Sequence, residues 1–99
     1  MIFEIAQIKT KHDSSQEFER AVAEAVPLFK RAKGCRSMQL QRSIEQPDTY
    51  TLVVGWESLE DHTVHFRNSV DFQEWRRLVG PFFAEAPAVQ HVHQVLQGF

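Results

Sequence analysis

Alternation of hydrophobic and polar residues marks four stretches of the chain, and a period of two is typical of β-strands. The four predicted strands cover residues 2–11, 35–44, 50–56 and 89–96. The first and third strands carry apolar residues on both faces, and for the third strand this favours a central position in a sheet. Only a short turn separates the second strand from the third, so these two are expected to form a hairpin.

The segment between the first two strands repeats its apolar residues at helical spacing, which predicts an amphipathic helix facing a core. Ser14 and Glu17 have the spacing of a capping box, so we expect the helix to begin there. Gly34 is expected to end it, because glycine readily adopts the left-handed conformation common after a helix. The apolar stripe of this helix consists of Phe18, Val22, Ala25, Phe29 and Ala32.

A second helical region follows the third strand and is rich in aromatic residues. A short helix is expected over residues 59–67, followed by a polar break. Ser69 can cap the next helix, in which Phe72, Trp75 and Val79 share one face. This region therefore predicts a helix in two pieces, with an aromatic stripe on the second piece.

The predicted order of elements is β-α-β-β-α-β, in one domain that spans residues 1–99. This is the order of the ferredoxin-like, split βαβ arrangement. It is an α+β fold in which a four-stranded antiparallel sheet carries both helices on one face. The other face would be an uncovered apolar surface. We expect a second copy of the chain to cover it, sheet against sheet, as a homodimer.

Composition and charge argue against several classes of partner. The chain is 42% hydrophobic and 24% charged, so a packed core is expected. A formal net charge of −2 and the lack of a basic stripe argue against nucleic acid. No apolar run approaches the ~18 residues of a membrane span, and the first residues do not resemble a secretion signal. Together with the single cysteine, Cys35, these features indicate a cytoplasmic protein without a membrane partner.

The break in the second helical region predicts a gap between the helices and the sheet. Six side chains are expected to line it: His65, Phe66, Phe72, Trp75, Phe82 and Phe83. Such a gap suits a flat, apolar, polycyclic ligand that a few polar groups orient. The candidates for those polar groups are Gln7, Arg42 and His65. The alternative is that the rings are simply core, where aromatic stripes at helical spacing are common.

Two pairs of histidines are candidates for a metal site. His91 and His93 share one side of the fourth strand, and His62 and His65 share one face of the short helix. Zinc sites need three or four convergent ligands, so neither pair suffices alone. The alternative is that these histidines lie on a solvated or interface surface.

A longer pattern, W-x-S…H…S-x-x-F-x-x-W, runs through the aromatic region. Its members are Trp56, Ser58, His65, Ser69, Phe72 and Trp75. With the predicted topology, this pattern resembles the antibiotic biosynthesis monooxygenase (ABM) domain family over nearly the whole chain. The resemblance implies a dimer with facing sheets, a dimeric α+β barrel. It also implies a cofactor-independent monooxygenase, since several members oxygenate polycyclic phenols or quinols without metal, flavin or haem.

In a reaction of that kind, an aromatic alcohol loses a proton, and its anion passes an electron directly to molecular oxygen. The protein must supply a base, a dry aromatic cage and hydrogen bonds to the anion. His65 is the expected base, because histidine titrates near neutral pH. Trp75 and Phe72 would stack on the small aromatic substrate, and Arg42 or Gln7 would hold the oxyanion.

Two alternatives remain open. Other members of the family degrade haem with an asparagine, a tryptophan and a histidine, and the matching positions here hold Gln7, His65 and Trp75. A tryptophan in the place of the haem-ligating histidine argues against haem degradation. A dimeric domain of this type can also bind a small apolar ligand without catalysing any reaction.

Overall fold

In the computed structural model, which describes residues 1–99, the chain follows the predicted order β-α-β-β-α-β. The strands are β1 (Ile2–Lys9), β2 (Cys35–Arg42), β3 (Thr49–Trp56) and β4 (Ala88–Val92). The α-helices are α1 (Ser15–Lys30) and α2 (Val70–Val79). A π-helical segment, Asp61–Phe66, precedes α2, and a 3₁₀ turn, Gly80–Phe82, follows it. No helix has both the length and the apolar composition that a membrane crossing requires.

The four strands form one antiparallel sheet in the order β2-β3-β1-β4. β1 pairs along its whole length with β3, from Ile2 opposite Trp56 to Lys9 opposite Thr49. β4 pairs with the other edge of β1, and β2 with the other edge of β3. The third strand, which its two-sided apolar pattern predicted to be central, is therefore an inner strand together with β1, and the ferredoxin-like α+β fold is confirmed.

Both helices cover the same face of the sheet, and the hydrophobic core lies between them and the strands. α1 buries most of its predicted stripe there, and Phe18 and Ala25 have no exposed surface. The ring of Phe18 lies 4.8 Å from that of Tyr50 on β3. Burying a side chain of this size stabilises the fold by about 1.5–3 kcal/mol, so this contact anchors α1 to the sheet. Ala32 lies beyond the end of α1 and is only partly buried.

The two α-helices begin differently. Ser69 caps α2 as predicted, because its Oγ accepts a hydrogen bond from the N–H of Phe72 at 3.1 Å. Ser14 precedes α1, but its side chain makes no such bond, so the predicted capping box is wrong. The reason is local: Ser14 has φ −103° and ψ 4°. Those angles are not the extended conformation that directs a capping side chain at the helix.

The turn between α1 and β2 requires a glycine. Gly34 has a φ of 76°, a left-handed conformation that other residues adopt only with strain. A Cβ atom at this position would also collide with the carboxylate of Asp61. The carbonyl of Gly34 accepts a hydrogen bond from the N–H of Glu57 at 2.8 Å. The end of α1, the end of β3 and the π-helical segment therefore meet closely at this turn.

The second face of the sheet has no helix over it. Phe3, Ile5 and Val53 lie half-buried at its centre, and Val92 is 42% exposed. The fourth strand was predicted to reach residue 96, but it ends at Val92, which pairs with Phe3 near the start of the chain. β1 offers almost no further backbone to pair with. Residues 93–99 are therefore irregular, and the predicted extent of this strand is wrong.

Candidate functional site

A cavity of about 680 Å³ lies between the sheet and α2. The helix-covered side of β1 forms its floor, with contributions from β3 and β4, and α2 and the residues after it form its roof. Its main apolar lining residues are Ala6, Ile8, Leu52, Phe72, Trp75 and Phe83. This size and this lining are typical of a site for a small organic ligand.

Three of the predicted aromatic residues, Phe72, Trp75 and Phe83, line this cavity together. Phe66 is instead buried behind Phe72, with ring centroids 5.7 Å apart and planes at 80°. Phe82 belongs to the 3₁₀ turn and lies outside the lining. The aromatic stripe therefore serves as core on one side and as cavity wall on the other.

His65, the predicted base, is exposed and lies outside the cavity lining. The expectation that His65 lines the gap is therefore corrected. The cause is the winding of the π-helical segment, in which the N–H of Arg67 bonds the carbonyl of His62 five residues earlier. A π-helical turn is wider than an α-helical turn, so residues three apart no longer share a face. His62 and Phe66 are buried together, while His65 faces solvent.

Gln7 and Arg42 also lie away from the cavity. Gln7 is on the uncovered face of the sheet, where its side-chain oxygen accepts a hydrogen bond from the hydroxyl of Thr51 at 3.3 Å. Odd-numbered residues of β1 face away from the helices because strand side chains alternate. Arg42 ties the β2–β3 turn to α1, since it donates to the carbonyl of Pro47 at 2.7 Å and to the hydroxyl of Ser15 at 2.8 Å.

A polar chain of Glu4, His62 and His91, which the residue patterns did not single out, lies at the inner end of the cavity, where Glu4 and His62 line it. Nε2 of His62 lies 3.2 Å from Oε1 of Glu4, and its Nδ1 lies 2.8 Å from Nε2 of His91. The indole N–H of Trp56 donates to the same Glu4 oxygen at 3.2 Å. The ring of Trp56 also stacks on His62, with centroids 5.2 Å apart. These contacts hold the carboxyl and the two imidazoles in a fixed order.

The fold assembles this chain from three separate elements. Glu4 and His91 are register partners in the pairing of β1 with β4, so both point under the helices. His62 reaches them from the π-helical segment. One sequence signal was available. Glu4, Ala6 and Ile8 are alternate residues of β1, so the pattern places the carboxyl of Glu4 on an apolar strand face. No signal linked His62 to His91, which lies 29 residues further along the chain.

Burial sets the charge states of this chain. It raises the pKa of Glu4 to about 7, although the hydrogen bond from Trp56 and the positive charge of Arg67 oppose the shift. Burial, Arg67 and His91 lower the pKa of His62 to about 4. The two groups are within ion-pair distance, but burial disfavours the charged forms of both. Near neutral pH, His62 is therefore uncharged, and Glu4 is present with and without its proton.

Those charge states permit proton transfer along the chain. A neutral imidazole has one nitrogen that donates a hydrogen bond and one that accepts. When Glu4 is ionised, His62 can donate to it from Nε2 and accept from His91 at Nδ1. When Glu4 is protonated, both bonds can reverse. A proton taken up at Glu4 can therefore be passed to His91 through His62.

The histidines do not assemble a metal site. His62 is hydrogen-bonded to His91, while His65 is exposed and His93 lies exposed beyond the end of β4. No group of three or more histidine, cysteine, aspartate or glutamate side chains is arranged to hold a metal ion. In each of the two predicted pairs only one member, half-buried His91 or buried His62, takes part in this hydrogen bond, while the other, His93 or His65, is exposed.

Comparison with known proteins identifies the family. The family model described as antibiotic biosynthesis monooxygenase matches residues 1–78. The chain belongs to this family. The uncharacterised protein YczJ of Bacillus subtilis is 39% identical over 95 residues, which cover 96% of this chain and 100% of YczJ.

Solved structures of other proteins share the fold. One from Bordetella bronchiseptica, provisionally assigned as an antibiotic biosynthesis monooxygenase, is 55% identical with a TM-score of 0.95 and covers 96% of this chain and 97% of that one. SnoaB of Streptomyces nogalater, a cofactor-independent oxygenase, is 13% identical with a TM-score of 0.83. That likeness covers 98% of this chain and 95% of SnoaB, and it shows the fold alone.

The positions that match the haem-degrading members do not converge. Trp75 lines the cavity, Gln7 lies on the uncovered face of the sheet, and His65 faces solvent. These three side chains therefore do not surround a common site within one chain.

Proposed function

We propose that this protein is a cofactor-independent monooxygenase that oxidises a polycyclic phenol or quinol in the cavity beneath α2. The observation that carries the proposal is the carboxyl of Glu4, which lines an otherwise largely apolar cavity and has a pKa of about 7. A base is most effective when its pKa lies near the working pH. SnoaB, a cofactor-independent oxygenase, has the same fold.

In the proposed reaction, ionised Glu4 takes the proton of the substrate hydroxyl group, directly or through neutral His62. The phenolate then gives one electron to molecular oxygen, and the two radicals combine to form a C–O bond at a ring carbon. The resulting peroxide takes up a proton. It loses water as the C–H bond of that carbon breaks, which leaves a quinone. One oxygen atom enters the product and the other leaves as water, so no external reductant is consumed.

The rest of the cavity supports this chemistry. Phe72, Trp75 and Phe83 would hold the ring system of the substrate and keep water away from the radical pair. Arg67 lines the same cavity, and its positive charge would stabilise the phenolate as it forms. The proposed base is Glu4 with His62 rather than His65, because the side chain of His65 lies outside the cavity.

Oxygen uptake with a panel of anthrones and naphthols tests the proposal. Glu4→Gln removes the base at constant size and is expected to lower kcat/KM by about 100-fold or more. The matched control, His65→Ala, changes an exposed histidine and should retain the wild-type rate. In the wild type, kcat/KM should rise as the pH increases through 7, and circular dichroism checks that both variants are folded.

Three outcomes would reject this mechanism. Full activity of Glu4→Gln would remove the carboxyl from catalysis, and loss of activity in His65→Ala alone would restore His65 as the base. Binding of these aromatic compounds with no oxygen uptake for any of them would indicate a non-catalytic binding domain.

We also propose that two copies of the chain pair through the uncovered sheet face. Phe3, Ile5 and Val53 form the apolar centre of this face, with Val92 exposed beside them. Apolar patches of this kind commonly mark protein interfaces. Pairing of two identical faces gives a closed dimer with twofold symmetry.

A further inference from the structure

Three arginines line the cavity beneath α2: Arg67, Arg76 and Arg77. A guanidinium group keeps its charge at every physiological pH. The chain as a whole has a formal net charge of −2, so this local excess of positive charge does not follow from its composition. The arginines therefore form a cationic part of a wall that is otherwise mostly apolar.

The two carboxylates of α2 are already paired with arginines. Asp71 accepts two hydrogen bonds of 2.8 Å from Arg31 of α1. Glu74 pairs with Arg77 one turn along the same helix, with Nε–Oε2 at 3.0 Å. Of the three cavity arginines, only Arg77 thus has a carboxylate partner.

Arg67 and Arg76 have no carboxylate within 4 Å, although both are held at the cavity. The guanidinium of Arg76 lies 6.0 Å from the ring centroid of Phe72, over an aromatic wall residue. Arg67 is near enough to the inner end for its charge to lower the pKa of His62. Glu4 is the one carboxyl of the lining, and Trp56 and His62 already bond to it.

We propose that the ligand of this cavity is an aromatic carboxylate. Its ring would lie against Phe72 and Trp75, and its carboxylate would pair with the unpartnered guanidinium groups of Arg67 and Arg76. The planar guanidinium fork matches a carboxylate with two parallel hydrogen bonds. This inference deepens the proposed function, because it names hydroxylated aromatic acids as the substrate class of the same site.

Binding of 2-naphthoate and 2-naphthamide, measured by isothermal titration calorimetry, tests this proposal. The two compounds have nearly the same shape, but only the first carries a negative charge. Neither has a hydroxyl group to oxidise, so the measurement is independent of turnover. The wild type is expected to bind 2-naphthoate about tenfold more tightly than the amide.

The variant Arg67→Gln/Arg76→Gln should bring the ratio of the two affinities close to one, because it removes the positive charges that favour 2-naphthoate over the neutral amide. The matched control is Arg20→Gln, which removes the same charge from an exposed position of α1 outside the cavity. It should keep the wild-type ratio. Circular dichroism confirms that the variants are folded.

Three results would overturn the proposal: equal affinity of the wild type for both compounds, no binding of either one, or a ratio that survives in the double variant. The test also separates this inference from the proposed reaction. A preserved preference for 2-naphthoate together with no oxygen uptake for hydroxynaphthoates would reject the oxygenase mechanism and retain the anion site.

Discussion

The two α-helices cover the same face of one sheet with different results. α1 buries six of its 16 residues, whereas α2 buries two of its 10. Beneath α1 the sheet meets closely packed side chains such as Phe18, while beneath α2 it borders the cavity and the chain of Glu4, His62 and His91. One sheet face can therefore be core at one end and a ligand site at the other.

The difference arises from how much apolar surface each helix brings. α2 is short and enters after the π-helical segment, and only Trp75 and Val79 of its residues are buried. Gln73 and Arg76 of the same helix also border the cavity, where their polar groups cannot complete an apolar core. The sheet beneath α2 thus keeps the cavity of about 680 Å³, whereas the opening between α1 and β2, lined by Val26, Phe29 and Met38 among others, is only about 190 Å³.

The largest predicted effect concerns the part of the sheet face that packs against α1. Phe18→Ala should lower the free energy of unfolding by about 3–5 kcal/mol, because it removes a fully buried ring and leaves a void. Phe72→Ala, at the half-buried cavity wall, should cost clearly less. Urea unfolding followed by circular dichroism measures both. Equal losses would mean that the two halves of the sheet face are packed alike.

The second prediction concerns the polar chain under α2. The pKa of Glu4 is raised from 4.5 to about 7, so the folded state holds this proton more tightly than the unfolded state. The stability that this proton contributes is complete below pH 4.5 and is lost as the pH rises through 7. The Glu4→Gln variant has no proton to release at this position, so its stability does not fall for this reason. Relative to the wild type, it should gain on the order of 3 kcal/mol as the pH rises across this range.

His62 titrates in the opposite sense and provides the internal check. Its pKa is lowered from 6.5 to about 4, so its contribution to stability is lost as the pH falls through this interval. Both proteins retain His62, so the difference between them reports the removal of the Glu4 carboxyl together with its coupling to His62. Urea unfolding at a series of pH values gives that difference. A difference that does not vary with pH would show that Glu4 titrates normally in the folded protein.

The prediction with the smallest expected effect on folding concerns the uncovered face of the sheet, in contrast to the helix-covered face. Val53→Asp places a charge at the apolar centre of that face, where it should prevent pairing of two chains and change the fold of each chain little. Sedimentation velocity should find a dimer for the wild type and a monomer for the variant. Gln16→Asp, on the exposed side of α1, is the control and should remain dimeric. A monomeric wild type would reject the proposed interface.

Much of the fold could be predicted because strands and helices follow local periods. The apolar residues on both faces of β3 correctly indicated an inner strand, and Ser69 correctly indicated the start of α2. The extent of β4 could not be predicted, since a strand ends where its partner ends. The failure at Ser14 has a similar origin, because a cap depends on backbone angles as well as on residue type.

The site was less predictable than the fold. Phe72, Trp75 and Phe83 were identified from the aromatic stripe, and the structure gathers them around one cavity. His65 was selected because it lies beside the predicted helix break and because histidine titrates near neutral pH. The π-helical winding instead turns His65 to solvent and His62 inward.

The sequence alone determined the order of elements, the antiparallel sheet with its one-sided helices, and the family resemblance that comparison confirmed. These features depend on residue spacing, which is readable along the chain. Only the tertiary structure decided which polar groups meet. Glu4 lies 52 residues from Trp56, and His62 lies 29 from His91. Strand register and the wider π-helical turn bring them together, and neither leaves a period in the sequence.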